Sequence, residues 1–350
     1  MKRNRFWFIV GGGVLIVSII LSLLIFKGKE ENQRKYKVRS TQLAPIKEKV
    51  KTHIHRYEVD LFSLDTQNLV QGIEKLSYLY PDNLIQDGIW KDTIIITQLK
   101  AYLQDPVILE IYHDVMKVYP DLDDITTELD HALVHYLYYY PDAEVPNFYT
   151  IVPGIDFEMP TVYAFDNDLF INLDMYLGSK YKLYDQYGIP KFISERFDKK
   201  YIGIDCFKKA IVYKHLPNET RITLLDYMLY EGKKLYFTEL MFPQKPNQDI
   251  IGYNQAKYEW AEKHQGDVWN YIIGKDKLFS KSDAEITAYI NETPFTKPFS
   301  NESPGRMGVF IGWKIIQTFM EKNSEVSLDE MMRMTDSQYI LNKSGYKPMK

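Results

Sequence analysis

The chain is nearly devoid of cysteine. Cys206 stands alone, so no internal disulfide can form and the fold must be held by core burial. The same scarcity rules out a lipid-bearing cysteine behind the amino-terminal leader. The motifs of common chemistry are missing as well: there is no HExxH, CxxC, GxSxG or P-loop. No internal repeat or low-complexity tract is visible. With a net charge of −4 and no basic stripe outside the leader's flanks, the composition argues against a nucleic-acid partner.

What is present begins at the amino end. Residues 6–26, from Phe6 to Phe26, form an uncharged apolar run, with Lys2, Arg3 and Arg5 before it and Lys27 and Lys29 after it. Roughly 20 such residues at about 1.5 Å rise cross the hydrocarbon core of a bilayer. The run ends in Leu-Leu-Ile-Phe-Lys, without the small residues of a cleavage site. It therefore predicts a retained single-pass anchor in the lipid bilayer, amino end cytoplasmic and main domain facing outward. The expected plan is an anchor over 1–29, a polar tether over 30–45, and an extracytoplasmic body over 46–350.

Within the body, residues 46–140 read as helical. Leu69, Ile73, Leu76, Leu79 and Tyr80 recur at helix spacing before Pro81. Asp105-Pro106 opens a second helix closed by Pro120, and Asp124 is expected to cap a third closed by Pro141. The middle changes character. Residues 148–152 and 161–165 are β-prone, Asp166-Asn167-Asp168 is turn chemistry, and residues 169–172 return, so 161–172 is a hairpin candidate. Helical periodicity resumes beyond Pro190. The fold class expected is α+β: mainly helical with a small β-sheet.

Candidate chemistry is sparse. His131 and His135 share a helix face, but the general-base position of a zinc peptidase is held by Ala132, so the pair reads as rim histidines. The acidic runs at 121–124 and 166–168 lack the glycine and glutamate of a calcium loop and read as a cap and a turn. With 28 tyrosines in 350 residues, a glycan- or peptide-binding surface is one rival reading, the other being a core built with Tyr in place of Leu or Phe.

Two segments stand out. In residues 218–243, Asn218 is expected as an N-cap, and Leu224, Leu225, Met228, Leu229, Leu235 and Tyr236 form one stripe on a helical wheel. Gly232 lies at the stripe's centre, which predicts close packing by something else. Glu231 is at its edge, and Arg221 and Glu239 lie within it, one near each end. Charges so placed are costly unless paired or used. In residues 303–313, Ser303 is expected to cap a helix with Pro304 at its first position. Gly305, Gly308 and Gly312 expose backbone for close approach, and Arg306 is placed to hold an anion or an internal carboxylate.

The stretches FINLDMYLG (170–178), LLDYMLYEGKKLYF (224–237), SPGRMGVFIGWKIIQTFM (303–320) and the closing SGYKP resemble the gliding-motility protein B (GldB) family of Bacteroidota, from about Tyr136 to the carboxyl end. The resemblance implies an envelope protein facing the periplasm, associated with gliding motility and the type IX secretion machinery. Members of that family are usually lipoproteins. This chain has an apolar span in place of the lipid-bearing cysteine, so inner-membrane attachment is expected.

The family also resembles zincin-like domains in layout. Glu231-Gly232 matches their glutamate–glycine pair, the strand ending near Asp174 fits their preceding strand, and the metal-binding helix is expected over 205–215. There only His215 is able to ligate. The resemblance thus implies a zincin-like scaffold without its metal chemistry: no cofactor, no catalytic residue, and a candidate cleft of Asp174, His215, Glu231, Gly232, Glu239 and Arg306 that binds envelope proteins of a motility or secretion assembly. The alternative is a zinc-dependent hydrolase with a non-standard site from His215 and Glu231, joined by His131 or His135.

Overall fold

Two strands buried on both faces organise the body. β2 (Asn147–Ile151) and β4 (Asp168–Asn172) pair in parallel, Phe148 opposite Leu169 and Thr150 opposite Ile171. Both are almost wholly buried, as parallel strands covered on two sides require. β1 (Ile54–Arg56) adds in parallel to β2, and β3 (Val162–Phe165) adds antiparallel to β4, giving the order β1-β2-β4-β3. The edge strands are short and partly exposed, which blunts them against pairing with another chain. The computed structural model describes residue 38 and residues 40–348. The apolar run at 6–26 and the anchor over 1–29 lie outside the described residues. Among those described, no helix is long and apolar enough to cross a membrane. Ile46–Lys350 makes one compact unit.

The hairpin forms as expected. Asp166 and Asn167 make its turn, with Asp166 at φ 51°, a left-handed conformation that short polar side chains tolerate. β1 was not expected. A three-residue strand is too short to show a period of two, and it lies where residues 46–140 read as helical throughout. The helices on that side, among them Tyr57–Phe62, Leu69–Ser77 and Thr93–Gln104, cover one face of the sheet. Leu61, Ile73 and Leu103 close over Tyr149, Ile151 and Phe170 there. Leu79, assigned to the first apolar face, is instead 65% exposed, because that helix ends at Ser77.

On the other side of the sheet, Ile202–Lys209 touches β3 and β4. Behind it runs Leu224–Met241, whose most extensive partner is Met307–Lys322. All six residues of the expected stripe on Leu224–Met241 are buried. Three starts differ from expectation. Thr223, not Asn218, caps Leu224–Met241, through a reciprocal box with Asp226. Asp124 lies inside the first turn of Asp123–Tyr139, where its charge suits the helix dipole. Ser303 does not cap. Its hydroxyl donates to the Ser300 carbonyl at 2.7 Å and accepts from the Thr296 amide at 3.2 Å, so the helix starts only at Met307, whose amide donates to Thr296 Oγ1.

Candidate functional site

Gly232 is where the two long helices meet. A Cβ placed there would overlap the Gly312 carbonyl carbon and stand 2.6 Å from the Trp313 amide nitrogen. The expected close packing at both glycines is therefore met by one contact. Arg221 precedes the helix and so does not face the core. Its guanidinium lies 3.8 Å from the Tyr230 ring centroid and 5.5 Å from that of Tyr227, a cation–π arrangement. These three side chains, with Glu231, Asp283, Ile286 and Asn291 among others, line a groove of about 340 Å³.

Beyond Asp226 in the capping box, the two other carboxylates of this helix are both partnered. Glu231 pairs with Lys234 at 3.0 Å, and Lys234 also donates to the Tyr213 hydroxyl at 3.0 Å. Glu239 accepts from Trp313 Nε1 at 2.9 Å and Gln317 Nε2 at 2.8 Å. Burial raises its pKa against the pull of those donors. Glu239 thus ties the two long helices together and does not open into the groove.

Arg306 occupies a left-handed conformation, φ 59°, uncommon for a long side chain. Tyr253 donates to the neighbouring Gly305 carbonyl, and a Cβ on Gly305 would overlap the Thr293 carbonyl oxygen, so the backbone is braced on both sides. The guanidinium donates to the Ile251 carbonyl at 2.6 Å and meets Glu292 Oε2 at 3.2 Å. Arg196 takes the other oxygen, Oε1, at 2.7 Å. Burial opposes the charge on Arg306, but Glu292, Tyr253, Glu231 and Asp205 outweigh it and raise the pKa. The internal carboxylate expected beside Arg306 is therefore Glu292, with Glu231 only in electrostatic reach.

The remaining candidates lie apart. Asp174 is fully buried at the carboxyl end of β4, and its Oδ2 accepts from the Gly154 amide at 2.8 Å. Burial pushes it up to about 7, against the Gly154, Asp174 and Met175 amides. His215 is buried too. Its Nε2 lies 2.9 Å from the Tyr136 hydroxyl, and its ring stacks on Tyr140 at 3.8 Å. Burial pushes it down to about 4. His215 and Glu231 are thus each held by other neighbours, Tyr136 and Tyr140 for one and Lys234 for the other. Among the described residues no group of three or more His, Cys, Asp or Glu side chains is placed to hold a metal ion. The helix expected over 205–215 is two pieces, Ile202–Lys209 and the tight turn Ile211–Lys214, broken at Ala210.

A polar cluster on that first piece was missed. Asp205, buried, accepts from Tyr176 and Lys209, each at 2.8 Å, and lies 3.6 Å from Lys208 Nζ. Burial works to raise the Asp205 pKa, but Lys209 and Lys208 bring it down to about 2. The signal was legible as Asp-x-x-Lys-Lys, which puts both lysines one turn from the carboxylate. Cys206 beside it is fully buried, and burial pushes its thiol up, as for a small apolar residue rather than a nucleophile.

Residues 39–348 match the model of a family described as gliding motility protein GldB. The match begins well before Tyr136, so β1 and the helices between it and β2 belong to the matched region. No curated protein and no solved structure matches the chain.

Proposed function

This chain belongs to the gliding motility protein GldB family, and from that premise we propose that it is a membrane-anchored envelope component of a gliding or type IX secretion assembly, acting by binding a partner and not by catalysis. The body is read as a zincin-like scaffold whose metal positions have changed their chemistry. One observation carries this reading. The carboxylate of the Glu231-Gly232 pair is paired with Lys234, and Arg306 lies within its electrostatic reach. A divalent cation needs anionic or neutral donors in its first shell, and an ammonium and a guanidinium repel it. Beside Glu231, the groove is lined by aromatic Tyr227 and Tyr230, apolar Ile286 and Ile290, and polar or charged Arg221, Asp283 and Asn291. Such a mixture suits a protein segment.

The anchor at residues 6–26 sets the location under this reading: inner membrane, with the body in the periplasm. The test is photo-crosslinking in cells. A photoreactive amino acid replacing Thr287, on the groove wall, is expected to trap an envelope protein, and one replacing exposed Tyr78, remote in sequence, is not. Equal or absent adducts at both positions would remove the groove from consideration.

A further inference from the structure

Like charges gathered under a protein surface are costly, since each loses hydration and repels the others. Arg196 and Arg306 pair directly with Glu292, and Lys208 and Lys209 are close enough to act on it electrostatically. All four act on its carboxyl group: burial raises its pKa, but Arg306, Arg196, Lys208 and Lys209 outweigh that and lower it. The strain shows on Lys208, pushed down to about 7 by burial and, against Asp205, by Lys209, Arg306 and Arg196. Asp205 takes Tyr176 and Lys209 on Oδ2, and its Oδ1 lies 3.6 Å from Lys208, so its charge is shared between the two lysines. Among the described residues, Glu292 is the carboxylate paired with both arginines.

Its geometry is that of a ligand more than of a brace. The two carboxylate oxygens are taken by different arginines, Oε1 by Arg196 and Oε2 by Arg306, the two-sided recognition that guanidinium groups give a carboxylate. The arginine side chains are 16% and 11% exposed, whereas that of Glu292 is 38% exposed. The carboxylate thus reaches the cationic floor from the solvent side. Glu292 follows directly on Asn291, which lines the groove. Three of the four cations have anchors besides Glu292: Arg306 is fixed to the Ile251 carbonyl and Lys208 to the Ile250 carbonyl at 3.1 Å, and Lys209 to Thr161 Oγ1 at 2.8 Å.

We propose that Arg196 and Arg306 form a carboxylate-binding site, with Lys208 and Lys209 adding positive charge nearby, in which Glu292 is an internal, displaceable occupant, and that the external ligand is an acidic side chain or chain end of a protein segment lying along the groove. Only the source of that carboxylate rests on the partner reading. The site itself is tested in the isolated chain.

The experiment is chemical rescue. The full-length chain and its Glu292→Ala variant are melted in sodium acetate, in inorganic phosphate and in sodium chloride at matched ionic strength. In chloride, the variant is expected to melt lower than wild type. Acetate should restore at least half of that loss with saturable dependence, move wild type little, and fail on the Glu292→Ala, Arg306→Gln double variant. No restoration beyond chloride, or an equal shift in wild type, would overturn the site. Phosphate rescuing better than acetate would overturn the carboxylate assignment. If Glu292→Ala does not fold, Glu292→Gln serves: its melting point should rise with acetate several times more than that of wild type, and an equal response overturns the proposal. A rescue without a crosslinked partner would retain the site and remove the partner reading.

Discussion

Gly232 and Gly312 press backbone to backbone where Leu224–Met241 crosses Met307–Lys322. A Cβ on Gly312 would overlap the Met228 carbonyl oxygen, just as one on Gly232 would overlap the Gly312 carbonyl carbon. Neither neighbour is a flexible side chain that can step aside. Alanine usually stabilises a helix interior by about 1 kcal/mol over glycine. Here overpacking, commonly about 1–3 kcal/mol and more against fixed backbone, should reverse the sign. Gly232→Ala and Gly312→Ala are each expected to lower the urea midpoint. Gly274→Ala, on a helical residue with nothing within 4 Å of the added carbon, should not. A neutral or stabilising Gly232→Ala would mean the helices lie further apart.

Asp174 and His215 impose opposite pH dependences on stability. Asp174 has a folded pKa raised to about 7 by burial. Its contribution is fully present below the unfolded carboxyl range, near 4, and is lost as pH rises through about 7. His215 has a folded pKa lowered to about 4, again by burial. Its contribution is present above the unfolded value, near 6.5, and is lost as pH falls toward 4. The two partly cancel between those limits, so wild type should show a shallow profile there. Asp174→Asn should expose a profile in which stability rises with pH. His215→Gln should expose one in which it falls. Denaturant midpoints across that window read both slopes directly, and two variants tracking wild type would refute the assignment.

Much of this architecture was legible in the sequence, for reasons that differ by element. The stripe from Leu224 to Tyr236 could be read because a period of 3.6 is repeated over several turns, and the hairpin because Asp166-Asn167 carries its own turn chemistry. The glycines of both long helices announced close packing, although only the structure joins Gly232 to Gly312. Pairwise meetings between distant segments left no such trace. Arg306 called for an anionic partner, but nothing in a linear reading selects Glu292 or adds Arg196. β1 was too short to show its period. Helix starts were misassigned where an equally good capping residue, Asn218 or Ser303, stood a few residues upstream of the true start. Asp205 with Lys208 and Lys209 was visible as a spacing, but its burial depends on the sheet beneath it.

Glu239 shows what a buried carboxylate does when it is structural. One oxygen, Oε2, accepts from both Trp313 and Gln317. Glu239→Gln keeps a carbonyl oxygen for these donors and is expected to change stability little. Glu239→Leu orphans both, at about 1–3 kcal/mol for each buried donor, and should lower the midpoint well beyond the amide variant. Equal losses in the two variants would indicate that the charge itself, and not the acceptor, holds the helices.

Metal content separates the partner-binding reading from the hydrolase alternative. A catalytic zinc site holds about one ion per active centre on three protein ligands. Here Lys234 sits on Glu231 and Tyr136 on His215. Full-length chain purified without chelator is expected to carry less than about a tenth of an equivalent of zinc. A stoichiometric ion that is lost in a Glu231→Ala variant would reinstate metal chemistry.

The proposed location rests on the amino-terminal run and can be tested separately from folding. The body from Ile46 onward is one compact unit with its own core, and its described helices include none able to span a bilayer. Residues 6–26 carry no charge, and about 20 apolar residues suffice to hold a chain in lipid. The full chain is therefore expected in the inner-membrane fraction, resistant to high salt and released by detergent. Replacing Ile16 and Ile20 with arginine should shift it to the soluble fraction, since each such residue near a span's centre costs about 2.5–3.5 kcal/mol in insertion. Under the proposed topology, in which Lys2, Arg3 and Arg5 keep the amino end in the cytoplasm, protease added to spheroplasts should degrade the body and spare the amino end. A body protected in intact spheroplasts would place it on the wrong side for every partner considered above.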